Sequence, residues 1–381
     1  MTAHISFNPD GGVCSAAGFR ASGIHCGLRR NRSKKDLALI VSDVRASAAA
    51  VYTRNAVKGA PDGEKVAEAM CGMLAKISGI PADDVIIAST GVIGQPLPLA
   101  PIEAGMGPLY AALSYEGSED AAAAVMTTDL VPKHCSASVE IGGKTVTVGG
   151  IAKGSGMIHP DMATMLVFIT TDAAVTQAML QAAVSADVVN TFNMISVDGD
   201  TSTNDMLSVM ANGLAGNPLI DAPGPDFDAF AAALHEVAAS LSKAIARDGE
   251  GATKLLSCIV TGAASDHDAR LAAKAVIASS LVKAAMFGSD ANWGRVLCAL
   301  GYSGAVFDPE KTDVAFSSSA GIVEVCRNGR ALPFSEEKAK TVLLENEVTI
   351  LVGMKDGSAG ATAWGCDLSN DYVRINGDYR S

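Results

Sequence analysis

Gly149 to Asp172 reads G-G-I-A-K-G-S-G-M-I-H-P-D-M-A-T-M-L-V-F-I-T-T-D. Its two halves differ in character. Gly149, Gly150, Gly154 and Gly156 leave the first half free to take backbone shapes closed to other residues. The second half, Thr164 to Thr171, is apolar and β-branched and predicts a buried strand. Ala163-Thr164 stands between them, a small residue followed by a hydroxyl nucleophile at a strand's mouth. A self-cleaving enzyme needs this arrangement. The Thr hydroxyl attacks the carbonyl before it, an N→O acyl shift follows, and hydrolysis exposes a new N-terminus. The freed α-amine, with an ordinary pKa of about 7.7–8.0, then serves as the base for the hydroxyl on the same residue. The plainer alternative is a glycine turn leading into a β-forming threonine, and residue types alone leave both open.

Working outward, the 381 residues suffice for two or three domains or for one large α/β core. Aromatics make up only 5%, so the core is aliphatic. A net charge of −12 argues against nucleic acid and anionic membranes as partners. Eight cysteines lack C-x-x-C spacing and zinc-type neighbours, and read as reduced, mostly buried thiols of a cytoplasmic protein. The first residues carry no signal-peptide pattern, and no apolar run reaches the ~18 residues of a membrane span.

Along the chain, Gly18 to Lys34 reads as loop, and Asp36 to Asp43 as a strand with Ala46 to Thr53 as its hairpin partner. Asp62 to Ile80 has helical spacing, stopped by Gly79 and Pro81. Val85 to Ala88 is expected to be a strand entering Ser89-Thr90-Gly91. There Thr90 and Gly91 offer backbone N–H groups for an oxyanion hole or form a simple turn. A helix begins at Ser118 and leads to Met126-Thr127-Thr128-Asp129. Ser136 to Ile141 and Lys144 to Val148 form a hairpin around Gly142-Gly143. Thr176 to Phe192 is helical. Ile195 to Val197 is a strand entering Asp198 to Asp205, whose acids and hydroxyls fit a network around buried backbone better than a metal site. Gly213 to Pro225 is the best linker. Phe227 to Arg247 is a long helix ending at Asp248-Gly249-Glu250-Gly251, where a carboxylate between glycines can meet a substrate amine or remain solvated. Leu255 to Thr261 is a strand and His267 to Phe287 one helix. Later strands are expected at Arg295 to Leu300, Val314 to Phe316, Gly321 to Cys326, Val348 to Val352, Ala361 to Trp364 and Asp371 to Ile375, with a helix from Ser335 to Leu344.

Six blocks in order, K-G-S-G-M-I-H-P-D-M-A-T-M-L, A-S-T-G-V-I-G, V-D-G-D-T-S-T-N-D, R-D-G-E-G-A-T-K, G-S-D-A-N-W-G-R and Y-V-R-I-N-G-D-Y-R-S, together resemble the ornithine acetyltransferase family of arginine biosynthesis. The resemblance implies a self-processing, layered α/β sandwich with a smaller C-terminal α/β domain from about residue 220. It implies cleavage between Ala163 and Thr164 into chains 1–163 and 164–381, which assemble as an α2β2 heterotetramer. Thr164 would be the acyl-accepting nucleophile, and Thr90 and Gly91 the oxyanion hole. Thr127, Lys153, Thr164, Glu250, Asn376 and Ser381 would line the substrate site. The implied reaction moves acetyl from N-acetylornithine to glutamate, with no cofactor or metal. Some family members also take acetyl-CoA as co-substrate.

This chain departs from the pattern at three points. About thirty residues usual after the segment matching Ala60-Pro61 are missing, Asp161 stands where Asn is common, and Ser381 where Thr is common. Two further readings fit the same residues: an N-terminal-nucleophile amidohydrolase or aminopeptidase with water as acceptor, and an inactive homologue that has lost its site with the missing stretch.

Overall fold

The computed structural model describes residues 4–30, 34–57, 59–159 and 165–377. The N-terminal part contains, in chain order, β1 (Ile5–Asn8), β2 (Phe19–Ile24), β3 (Leu37–Ser42), β4 (Ser47–Tyr52), α1 (Gly63–Ser78), α2 (Leu99–Ala111), α3 (Ser118–Val125), β5 (Lys133–Ile141), β6 (Lys144–Lys153), β7 (Leu166–Thr171), α4 (Gln177–Val188), β8 (Ile195–Ser196) and β9 (Met206–Ala211). Then come α5 (Pro225–Arg247), β10 (Leu255–Ala263), α6 (Asp266–Ala278), α7 (Ser280–Phe287), α8 (Trp293–Gly301), β11 (Asp313–Ser318), β12 (Gly321–Arg327), β13 (Arg330–Ala331), α9 (Glu336–Leu343), β14 (Glu347–Gly353), β15 (Ala359–Cys366) and α10 (Asn370–Gly377).

Two mixed sheets carry this α/β architecture. The first has the order β1-β5-β6-β7-β9-β4, the second β13-β12-β11-β14-β10-β15-β8, and β2 and β3 pair apart. Helix α5 lies against both large sheets, touching β5 and β6 on one side and β10 and β15 on the other. Its buried residues, among them Phe230, Leu234, Val237, Leu241 and Ile245, recur at the three- and four-residue steps of a helix face. Buried apolar residues of both sheets and of α5 belong to one contiguous core, across the Gly213–Pro225 connection. A smaller satellite cluster, including Leu37, Met70, Leu74 and Ile102, joins α1 and α2 to β3. Among the described residues, no helix is long and apolar enough to cross a membrane. All eight cysteines are free thiols.

The β5–β6 hairpin forms as its alternation predicts, with Ile141 paired to Lys144 across the two glycines. Strand β6 runs further than expected, through Gly149 and Gly150 to Lys153. A Cβ on Gly149 would collide with the Gly12 carbonyl, so the glycine permits close backbone approach within a strand. Helix α1 stops as predicted, with Gly79 at φ 75.

Other expectations need correction. Phe19–Ile24, inside the segment read as loop, is a strand and is the actual partner of β3. Strand β4 pairs instead with β9, more than 150 residues later, with Ser47 opposite Ala211. Val85 to Ala88 forms no strand; a 3-10 turn over Ala82–Asp84 precedes it and no neighbouring strand pairs with it. The helix expected over His267 to Phe287 breaks at Ser279, whose hydroxyl caps α7. Arg295 to Leu300 is helical because Asn292 accepts the Arg295 N–H and starts α8. Asp371 to Ile375 belongs to helix α10.

Candidate active site

The loop from Lys153 to Ile158, between β6 and the segment that precedes β7, is a hub of polar contacts. The Gly154 N–H donates to Asp129 Oδ1 at 2.7 Å. Ser155 and Thr128 share a hydroxyl hydrogen bond of 2.7 Å. The Glu250 N–H donates to the Ser155 carbonyl at 2.9 Å. The Glu250 carboxylate lies over Gly156, where any Cβ would collide with it. Only glycine lets the acid sit so close to this loop.

Beyond the glycines, Met157 has φ 58, a left-handed conformation rare for a residue with a side chain. Asp198 offsets that strain. Its carboxylate accepts the Met157 N–H at 2.6 Å and the Ile158 N–H at 2.8 Å. The acidic run around Asp198 therefore fixes backbone, as its sequence suggested. Burial pushes the Asp198 carboxyl up, against these backbone donors, which pull it down. A loop bent this way, directly before the expected cleavage point, is a reservoir of backbone strain.

Helix α10 closes over the same region. Asn376 Nδ2 donates to Glu250 Oε2 at 2.9 Å. Burial, with the nearby charges of Asp198, Asp200 and Glu250, pushes the Tyr372 phenol far up. Helix α10 thus reaches the Glu250 carboxylate.

Lys153, at the end of β6, pairs in register with Leu166, so it sits across from the first residues of β7. The Met165 carbonyl accepts the Met206 N–H at 2.9 Å, which anchors the start of β7 beside β9. Lys153 is 9% exposed. Burial lowers its pKa, while Asp129 and Asp205 favour the charged form. Thr127 donates its N–H to Asp129 Oδ2 at 2.9 Å.

Beneath the loop lies a buried network whose role the sequence did not reveal. Lys133 Nζ reaches Asp129 Oδ1 at 2.7 Å and Asp248 Oδ2 at 2.6 Å. Asp248 also accepts the Leu130 N–H at 3.0 Å. The signals were present: Asp129 closes M-T-T-D, and Asp248 opens the D-G-E-G turn that holds Glu250.

The structure thus gathers Thr127, Lys153, Glu250 and Asn376 around one loop. Thr90 and Gly91 lie in an irregular segment, tied to β9's approach by Asn204 Nδ2 donating to the Ser89 carbonyl at 2.5 Å. With Thr127 and Leu166 they line a cleft of ≈ 1640 Å³. Ala163, Thr164 and Ser381 lie outside the described residues. Among the described residues, no group of three or more His, Cys, Asp or Glu side chains comes together as a metal site would require.

Comparison with known proteins gives this site its context. The ArgJ family model matches residues 60–381. The Arginine biosynthesis bifunctional protein ArgJ of Symbiobacterium thermophilum is 50% identical over 97% of this chain and 99% of its own. Its counterpart from Geobacillus kaustophilus is 44% identical over 411 aligned positions, covering 100% of this chain and 99% of its own. Set against the 381 residues here, those 411 positions leave about 30 without a counterpart in this chain. The crystal structure of the Bacillus halodurans Arginine biosynthesis bifunctional protein argJ is 49% identical, with a TM-score of 0.54. It covers 57% of this chain and 100% of its own. Family match, identity and coverage agree, and the chain belongs to the ArgJ family of arginine-biosynthesis acyltransferases.

Proposed function

We propose that the chain cuts itself before Thr164 and then moves acetyl from N-acetylornithine to glutamate in ping-pong order. The Thr164 hydroxyl attacks the acetyl carbonyl, Thr90 and Gly91 hold the oxyanion, and ornithine leaves. Glutamate then takes the acetyl group from the threonine ester. Both amino acids carry an α-carboxylate beside the reacting nitrogen, so one site serves each in turn. Lys153 neutralises the carboxylate, Glu250 receives the ammonium, and Asn376 holds Glu250 in place. Ser381 closes the site from the tail.

The observation that carries this reading is the convergence on one loop. The cation at the end of β6, opposite Leu166, and the carboxylate over Gly156 belong to or touch residues that border Thr164's segment in the chain. We extend the proposal to acetyl-CoA as a second donor, to an α2β2 heterotetramer and to the cytoplasm.

The deciding assay supplies N-acetylornithine and glutamate together. Ornithine and N-acetylglutamate are expected in equal amounts. Free acetate in place of N-acetylglutamate would indicate an amidohydrolase, and no turnover an inactive homologue. Lys153→Ala is expected to raise the glutamate KM about 10–100-fold, the loss of one charge-assisted contact. Unchanged steady-state kinetics would remove Lys153 from the site. In the unaltered enzyme, the lowered Lys153 pKa predicts that KM rises with pH below the ordinary lysine range, as the cation loses its proton.

A further inference from the structure

No residue of helix α10 is buried, so core packing does not hold it in place. Close contacts with the D-G-E-G turn do. Ser369, just ahead of the helix, donates its hydroxyl to the Gly251 carbonyl at 2.5 Å. Gly251 has φ 71, and a Cβ there would come within 2.5 Å of the Tyr372 backbone nitrogen. Only glycine lets the helix backbone lie this close. One turn later, Asn376 Nδ2 donates both to the Tyr372 carbonyl at 3.1 Å and to Glu250 Oε2 at 2.9 Å. Tyr372 thus stands at the centre of this contact.

The Tyr372 side chain faces three acids, Asp198, Asp200 and Glu250. Arg374, on the same helix, pairs with Asp371 at 3.0 Å instead. Burial, then those three charges, push the phenol's pKa far up, so it keeps its proton and offers an O–H donor among carboxylates. Asp198 already holds the Met157 and Ile158 N–H groups, and Glu250 lies over Gly156. Like charges gathered this way repel, and a neutral donor beside them lets each keep its place. We infer that Tyr372 is a positioning residue for the proposed transfer, fixing the Glu250 carboxylate in the orientation that meets the substrate's ammonium. The inference rests on the Glu250 assignment given above. In N-acetylornithine the free ammonium is on the side chain, so Tyr372 acts on the choice of donor and not on the bonds that form and break.

The test compares two donors, N-acetylornithine and N-acetylnorvaline, with glutamate as acceptor and the whole protein as enzyme. Norvaline has the same carbon chain as ornithine and lacks its side-chain ammonium. The unaltered enzyme is expected to prefer N-acetylornithine in kcat/KM. Tyr372→Phe keeps the ring and removes the donor. It should narrow that preference about 3–10-fold, the scale of one hydrogen bond, mainly through the KM for N-acetylornithine. Gly251→Ala, which pushes the helix away with Tyr372 intact, should narrow it as well. A preference left unchanged in Tyr372→Phe, or both donors falling by the same factor as a loss of fold would produce, overturns the inference alone. An unaltered enzyme that uses the two donors equally overturns the Glu250 assignment with it, and one that uses neither overturns the proposed function.

Discussion

Thr164→Ala is expected to remain a single polypeptide of 381 residues and to lose acetyl transfer by at least about 10⁴-fold, the usual scale for removing a nucleophile. Alanine has no hydroxyl to attack the Ala163 carbonyl. Without the cut, no α-amine appears beside the reacting carbon. Thr164→Ser keeps the hydroxyl and should still split, which separates loss of chemistry from loss of fold. A denaturing gel and an acetyl-transfer assay on the two variants check this. Efficient splitting of the alanine variant would mean that another group cuts the chain.

Asp129→Asn is expected to cost about 1.5–3 kcal/mol, because the buried Lys133 ammonium keeps Asp248 but loses the second of its two carboxylates. The side chains of Asp129 and Lys133 are 0% and 1% exposed, so water cannot replace the lost contact. The pH dependence should change as well. Burial alone would push the Asp129 carboxyl up, but Lys133, then Lys153, and the hydrogen bonds hold it down at about 2, against an ordinary 3.8. A carboxyl depressed in the folded state stabilises it fully above about pH 4 and loses that contribution as pH falls toward 2, about 2 kcal/mol in all. Urea unfolding at pH 7 and pH 3 should therefore show a shallower acid loss in the variant than in the unaltered protein. Equal stability at pH 7 would show that the network does not support the loop.

The elements around the site were legible where local rules decide them. Alternation and a glycine pair gave β5 and β6, Thr176 and Ser335 gave helix starts, and Gly79 a helix stop. What failed depended on distant partners. Nothing between Ser47 and Tyr52 announces that β9 lies beside it, and β2 is disguised by glycine, serine and arginine in place of an apolar run. Val85 to Ala88 has strand-like residues but no neighbour to bond, and propensity without pairing makes no strand. Arg295 to Leu300 is a short apolar run of the ambiguous kind, which the Asn292 cap decides in favour of a helix.

The site divides in the same way. Motif blocks pointed to Lys153, Glu250 and Asn376, and the family resemblance to Thr127 as well; all four converge on the Lys153–Ile158 loop. The Asp129–Lys133–Asp248 support stayed hidden because its members come from separate segments, 115 residues apart between Lys133 and Asp248. A lysine and two aspartates look like ordinary surface charge until folding buries them together.

Intact-mass measurement of the purified enzyme, denatured after brief exposure to N-acetylornithine alone, tests the central claim most directly. Two polypeptides divided between Ala163 and Thr164 are predicted, with one acetyl group on the C-terminal piece, mapped by fragmentation to its first residue. A single undivided chain, or an acetyl group carried on any other side chain, would contradict the account.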